Sequence, residues 1–442
     1  MTKEEHFQEE LKRLKAEEED AVRRMGEPPS RYDIPENAPA VLFTEALLRS
    51  AALFEASDIH LSPEEELVRV HFRIDGEREE HIVFPKAGYP AVCARLKVLS
   101  SMNAAECRLP QDGRLSFCFY DNDYDVRVSS FPTVFGERFV LRILPRTCPY
   151  TREELGFLPE EEAATQRMLS RPGLVLLTGP TGSGKSTTLA CILKALLTEG
   201  RTAVTVEDPV EYLIEGAQQL SLPENGRLSF GDALKSVLRQ DPDVIMAGEI
   251  RDKETAEETV RMALAGKLVL STLHAPTAAG AVTRMRDLGI GNGVLSDALS
   301  GILSQRLIKR PCPQCITTRL LDADETVSYA LPEGSLLTEG AGCDSCHGKG
   351  TKGRRAVHEV FEITERIREG IRSGLSAAEL HAIALEEGMK PLTENAKGLL
   401  LRGETDLESY CSVCSIAYLR KETKLPAREA LHDTNGGIIC KK

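Results

Sequence analysis

Apolar residues are sparse over the first 25 positions, where Phe7, Leu11, Leu14, Val22 and Met25 stand among Glu, Lys and Arg. The spacing allows a weak amphipathic docking helix, but the charge density favours a solvated, partly disordered arm. GEPPSRYDIPENAP then breaks any helix, so residues 1–38 read as a charged arm and a proline-rich linker. From Val41 the apolar residues of VLFTEALLRSAALFEA recur at three- and four-residue steps and predict a helix. A short strand SDIHLSP follows. ELVRVHFRIDG then alternates Val68, Val70, Phe72 and Ile74 against Arg69, His71 and Arg73, a half-buried strand ending in an Asp-Gly turn. A second helix is expected over about Tyr89 to Met102, then strands RLSFCFY, YDVRVSSF and ERFVLRIL. Residues 39–146 therefore read as a small α+β domain.

After a linker over residues 147–159 the pattern switches to strands alternating with helices, the mark of a mostly parallel α/β sheet over residues 160–310. The uninterrupted apolar run Leu174 to Leu177 reads as a buried parallel strand. TAVTV, DVIMAGE and KLVLSTLH are further strands, and Asp252 caps a helix KETAEETVRMALAG that Gly266 ends. Two C-x-x-C pairs, with 27 residues between them, set off residues 311–357. Helical patterning returns through HEVFEITERIREGI, AAELHAIALEEG and PLTENAKGLLLRG, giving a helical subdomain over 358–410 and a tail over 411–442.

Composition narrows the class. A net charge of −13 and 5% aromatic residues argue against a general phosphate-backbone or base-stacking protein, so no direct nucleic-acid partner is expected. No apolar run approaches the ~20 residues a membrane-spanning helix needs, and the charged N-terminus lacks the core of a signal peptide. A cytoplasmic protein is expected. There, paired cysteines suggest metal before disulfides.

The chemistry centres on LVLLTGPTGSGKSTT. Gly179, Pro180, Thr181, Gly182, Ser183 and Gly184 form a loop between strand and helix, and Lys185, Ser186 and Thr187 open the helix. Such a loop aims backbone N–H groups at phosphates, with Lys185 reaching the β- and γ-phosphates and Ser186 a ligand of Mg²⁺. The chain is expected to bind ATP. Glu249, at the end of DVIMAGE, can orient or deprotonate the attacking water, although the usual aspartate two positions earlier is missing. Glu207, Asp208 and Glu211 form a second acidic group whose mutual repulsion needs a cation to offset it. His274, ending another strand, can hydrogen-bond the γ-phosphate. The nucleotide domain offers no arginine in an obvious finger position, so positive charge would come from the preceding domain. Cys312, Cys315, Cys343 and Cys346 supply four thiolates suited to a closed, structural Zn²⁺ site, with a redox pair as the lesser reading. Cys411 and Cys414 read as free thiols at a helix.

In this order the motifs resemble the type II secretion and type IV pilus assembly ATPases: SDIHLSP, HFRIDG, PQDGR and DVRVSSFPTVFGERFVLRIL, then GPTGSGKSTT, VEDPVE, RQDPDVIMAGEIRD, AGKLVLSTLHAPTA and the cysteine pairs. The resemblance runs from about Pro39 to Leu407. It implies a RecA-like P-loop domain preceded by a smaller α+β domain, with an inserted four-cysteine zinc module and a helical C-terminal part. It further implies a homohexamer that couples ATP hydrolysis to domain motion, with Glu249 as catalytic glutamate, Glu207 and Glu211 in an aspartate box, and His274 as phosphate sensor. First-domain arginines approaching the nucleotide would fall among Arg73, Arg114, Arg127 and Arg142. The implied partner is a polytopic inner-membrane platform protein, giving peripheral association with the inner membrane. The zinc module matches the secretion and pilus-extension branch, which retraction motors lack. Longer members carry a further N-terminal docking domain, whereas only about forty residues precede the first domain here. GRRAVHEV lacks the second glycine of a family motif, and residues after Cys411 have no counterpart. The alternatives are a P-loop nucleic-acid translocase with a zinc module, which the acidic charge opposes, and a scaffold without turnover, which the intact Lys185 and Glu249 oppose.

Overall fold

The computed structural model describes residues 3–25, 38–222, 226 and 228–414. The proline-rich linker, the basic run LRKETK and Cys440 lie outside the described residues. The chain forms two compact units. One comprises Met1–Leu307 and His358–Met389, the other Ile308–Val357 and Lys390–Lys442.

The larger unit holds two sheets. The first is antiparallel, built from β1 (Asp58–Pro63), β2 (Leu67–Ile74), β3 (Glu77–Pro85), β4 (Gln111–Phe119), β5 (Asn122–Thr133) and β6 (Gly136–Pro145), in the order β3-β2-β1-β6-β5-β4. Alternation decides its faces. Ile59, Leu61, Val70, Phe72, Val128 and Leu141 pack with Phe43 and Leu47 of a helix, Pro39–Leu53, and with Val92 and Leu96 of another, Tyr89–Leu99. The opposite face is polar and carries the arginines.

The stretch expected as a solvated arm is a docked helix, Lys3–Met25. Leu11, Leu14 and Ala21 are buried, and the ring of Phe7 meets that of Phe54 edge-on at 6.2 Å. Within the same stripe the carboxylate of Glu18 is buried against Nε2 of His81 at 2.8 Å, while His81 stacks on Phe72. The charge count misled because Glu18 occupies a core position. Its partner lies 63 residues away, where periodicity gives no hint of it.

The second sheet contains β7 (Gly173–Thr178), β8 (Ala203–Glu207), β9 (Gln218–Ser221), β10 (Val244–Ala247), β11 (Leu268–Leu273) and β12 (Leu299–Pro311). After an excursion through a two-stranded ladder, β13 (Ile316–Leu320) and β14 (Leu336–Gly340), β15 (Thr351–Glu362) completes it. Its order is β15-β12-β7-β11-β10-β8-β9, and the pairs of β7 with β11 and β12, of β10 with β8 and β11, and of β8 with β9 are parallel. β7, β10 and β11 are buried along their whole length. The segment HEVFE was expected to be helical. It is strand instead, because Val357, Val360 and Phe361 are strand formers buried beside β12, and the helix starts only at Glu365.

In the smaller unit Ile308, Leu321, Leu337, Val357, Leu399, Leu400 and Tyr410 form a separate core. Cys411 is half-buried, Cys414 is buried in that core, and neither forms a disulfide among the described residues.

On the arginine face of β1, both ring nitrogens of His60 are buried without a hydrogen-bond partner. Burial first, then the positive charge of Arg78, pulls its pKa down to about 4. The unfolded chain therefore binds a proton there between pH 6.5 and 4 that the folded chain refuses, and this contribution to stability is lost as pH falls through that window. Denaturant midpoints should drop from pH 7 to pH 4.5, and His60→Leu should shrink the drop; superimposable profiles would show that His60 titrates normally.

Candidate active site and metal centre

The phosphate loop leaves the C-terminal end of β7, where open parallel sheets bind ligands. Gly179, Gly182 and Gly184 have φ of +150°, +77° and +84°, and a Cβ on Gly179 would lie 2.5 Å from the carbonyl oxygen of Gln305. Glycine is required there on both counts. Gln305 of β12 pins the loop: its Nε2 donates to the Ser183 carbonyl at 2.7 Å, and its Oε1 accepts from Thr188 at 2.8 Å. Lys185 opens the helix Lys185–Thr198, and its Nζ donates to the carbonyls of Gly179 and Pro180 at 2.9 and 3.0 Å. Burial lowers the lysine's pKa, with the charge of Glu249 opposing the shift. A cation so placed, beside loop carbonyls it can exchange for phosphate oxygens, fits an anionic ligand.

Neighbouring strand ends supply the carboxylates. Glu207, closing β8, accepts from Thr205 at 2.6 Å and from Gln219 at 3.1 Å, yet burial raises its pKa. It lines one narrow recess with Ser186, Glu211, Tyr212 and Gly248. Ser186 and two carboxylates facing a single recess are hard oxygen donors, a set that suits Mg²⁺. Glu249 follows β10, and one of its oxygens lies 3.7 Å from Nε2 of His274, which follows β11.

Arg251, which sequence reasoning passed over, pairs with Glu249 and reaches Asp208 at 3.4 Å. Its signal was its place two residues after Glu249, where a strand exit turns both side chains to the same end of the sheet. Gln305 was also missed, although a lone glutamine in the apolar run LSGILSQRL was a visible anomaly.

The four candidate arginines of the first sheet fall in one row. Arg114 of β4 lies opposite Arg127 of β5, Arg127 opposite Arg142 of β6, Arg142 opposite Asp58 of β1, and Asp58 opposite Arg73 of β2. Asp58 takes Arg142 at 3.1 Å and Arg73 at 3.4 Å. Arg114, Arg127, Arg142 and Asp58 line a cavity of about 560 Å³. Arg73 is outside that lining and donates to the Gly76 carbonyl at 2.9 Å. Burial lowers the pKa of Arg127, against which Glu211 acts first among the nearby charges, and one of its Nη atoms is buried without a partner. Glu211 acts electrostatically on Lys185 as well, so it is within reach of both the arginine row and the phosphate loop.

In the smaller unit the sulfurs of Cys312, Cys315, Cys343 and Cys346 lie within 4.8 Å of one another. The pairs 312–343, 315–346 and 343–346 are each 3.8 Å apart. Four thiolates about 2.3 Å from a tetrahedral Zn²⁺ are about 3.8 Å apart, so the group matches that ion. Backbone N–H groups of Gly342, Cys343 and Gly350 point at the sulfurs at 3.2–3.3 Å and stabilise thiolate charge.

Residues 34–412 match the family model described as type II/IV secretion system protein. The chain is 42% identical over 388 residues to the type IV pilus assembly ATPase PilB of Thermus thermophilus, covering 86% of this chain but 44% of that one. It is 40% identical over 382 residues to a putative type II secretion system protein E of Escherichia coli K12, covering 86% of this chain and 77% of that one. Among solved structures it is similar to the pilus retraction motor PilT with bound ADP, at a TM-score of 0.58 and 27% identity over 84% of this chain and 96% of that one. The chain thus spans less than half of its Thermus relative and about three quarters of the other. By its motifs, its fold and these similarities, the chain belongs to the type II/IV secretion system protein family.

Proposed function

We propose that the chain is an ATP-hydrolysing motor that drives assembly of a type II secretion pseudopilus or a type IV pilus. The observation that carries this is the convergence on one sheet end of Lys185, Ser186, Glu207, Glu249 and His274, faced by an arginine row from the preceding domain. Relatives named as pilus assembly and secretion proteins support the same reading.

Lys185 and the loop N–H groups would hold the triphosphate. Ser186, with Glu207 and Glu211 behind it, would hold Mg²⁺, which would supply positive charge against the phosphates. Glu249 would orient and deprotonate the attacking water, and His274 would report the γ-phosphate to Glu249. Arg251 fixes where the Glu249 carboxylate sits. Arg127, with Arg114 and Arg142, would supply the positive charge that the transition state needs, a contribution worth about 10³–10⁵ in rate where such an arginine is present. Loss of the γ-phosphate then removes what the first domain holds, so hydrolysis becomes rigid-body motion of that domain. Pulling a pilin subunit takes several such strokes, which a homohexamer supplies. No helix among the described residues is long and apolar enough to cross a membrane, so docking on an inner-membrane platform protein would bring the motor to its substrate. The four-cysteine group would hold a structural Zn²⁺ that adds folding energy to the smaller unit.

Glu249→Gln should leave ATP binding intact and lower turnover by about 10²–10⁴-fold, as loss of a general base does. Single-turnover hydrolysis at the wild-type rate would reassign the base. For the metal, elemental analysis should find one zinc per chain, and Cys315→Ser should lose it and lower the melting temperature; a zinc-free chain of unchanged melting temperature would overturn the assignment.

A further inference from the structure

The segment that joins the two sheets of the larger unit packs against the second sheet and its helices. The Leu213 N–H donates to the Arg146 carbonyl at 2.6 Å, and Thr147 bridges to Leu213. One residue further, Sγ of Cys148 lies 3.6 Å from Sγ of Cys191, in the middle of the phosphate-binding helix Lys185–Thr198. The Cys191 thiol also reaches the Tyr150 carbonyl at 3.3 Å. Nothing in the proposed hydrolysis uses either sulfur.

We propose that Cys148 and Cys191 are a peroxide-responsive dithiol, a modification site whose oxidation fastens the interdomain segment to the phosphate-binding helix and stops turnover. Two free thiols at this distance need only move by about 1.6 Å to reach disulfide bonding distance. Cys148 is half-buried and Cys191 buried, so an oxidant would meet Cys148 first. Hydrogen bonding with Cys191, and then with the Tyr150 backbone, brings the Cys148 thiol down to about 7 against the effect of burial, which favours its thiolate. The same contact and burial push the Cys191 thiol up, so it is the resolving partner.

The reaction balances as follows. The Cys148 thiolate attacks one peroxide oxygen; the O–O bond breaks, hydroxide leaves, and Cys148 becomes a sulfenic acid. The Cys191 sulfur then attacks that sulfur, the S–O bond breaks, and the Cys191 proton leaves with the oxygen as water. Two thiols and one peroxide become one disulfide and two waters, each sulfur losing one electron. The new bond ties the exit of the first sheet to the helix carrying Lys185 and Ser186, the joint about which the proposed domain motion must turn. The loss of activity, though not the chemistry, rests on the ATPase reading.

The test exposes purified full-length chain to hydrogen peroxide, maps disulfides by mass spectrometry and measures ATPase activity before and after dithiothreitol. A 148–191 linked peptide should form. Turnover should fall at least ~10-fold once the joint is fixed and recover on reduction, since a blocked conformational step sets the rate. Cys148→Ser and Cys191→Ser should each keep their activity through the same treatment, which separates this pair from the four metal-binding cysteines. The proposal fails if no 148–191 peptide forms, if it forms without loss of activity in a protein that hydrolyses ATP, or if both serine variants are inactivated like the parent. A reduced protein that never hydrolyses ATP but still forms the linked peptide would sink the motor reading and leave the dithiol standing.

Discussion

Like charges held close together govern this molecule. Across four neighbouring strands Arg114, Arg127, Arg142 and Asp58 stand opposite one another, with Arg73 beyond, and Asp58 pairs with Arg142 and Arg73. Directly opposed like charges on a sheet, about 5 Å apart, weaken it. At the other sheet's strand ends stand Glu207, Asp208, Glu211 and Glu249, with Arg251 paired to Glu249 and Asp208 and with Lys185 acting on Glu249 and Glu211. A magnesium-bound triphosphate held between them, as proposed, would relieve both at once. On the proposed reading each surface would be costly alone and favourable around that ligand, and binding would close one domain on the other.

The parallel sheet was legible because its strands are buried on both faces and read as unbroken apolar runs, and because a glycine loop followed by Lys-Ser has one physical use. The candidate acids were legible for a related reason, as polar residues that end such runs. The register of the arginine row was not. Alternation put Arg73 on the exposed face of its strand, but which residue opposes which depends on hairpin turns and on β1 inserting between β2 and β6. Arg251 and Gln305 escaped notice because Asp208 and the loop-and-helix partners of Gln305 lie far off in sequence. β15 was misread for a similar reason, as HEVFE carries helix formers between strand formers and only its neighbour β12 decides the case.

The N-terminal helix teaches the converse. Glu18 and His81 look like surface residues in sequence, but their buried contact makes a charged stretch into a structural element. The smaller unit, with its own apolar core and four sulfurs at tetrahedral spacing, follows the usual logic of a compact module stabilised by a metal.

The central claim is that the arginine row and the phosphate loop hold one ligand between them. Its most direct test is the rise in melting temperature that Mg-ATP produces in Glu249→Gln, compared with the same chain also carrying Arg114→Ala and Arg127→Ala. Both arginines lie outside the second sheet, so a two-sided clamp predicts that the rise shrinks markedly when they are removed, with the magnesium requirement kept. An equal rise in both proteins would mean that the phosphate loop binds unaided, and the account of domain closure would be wrong.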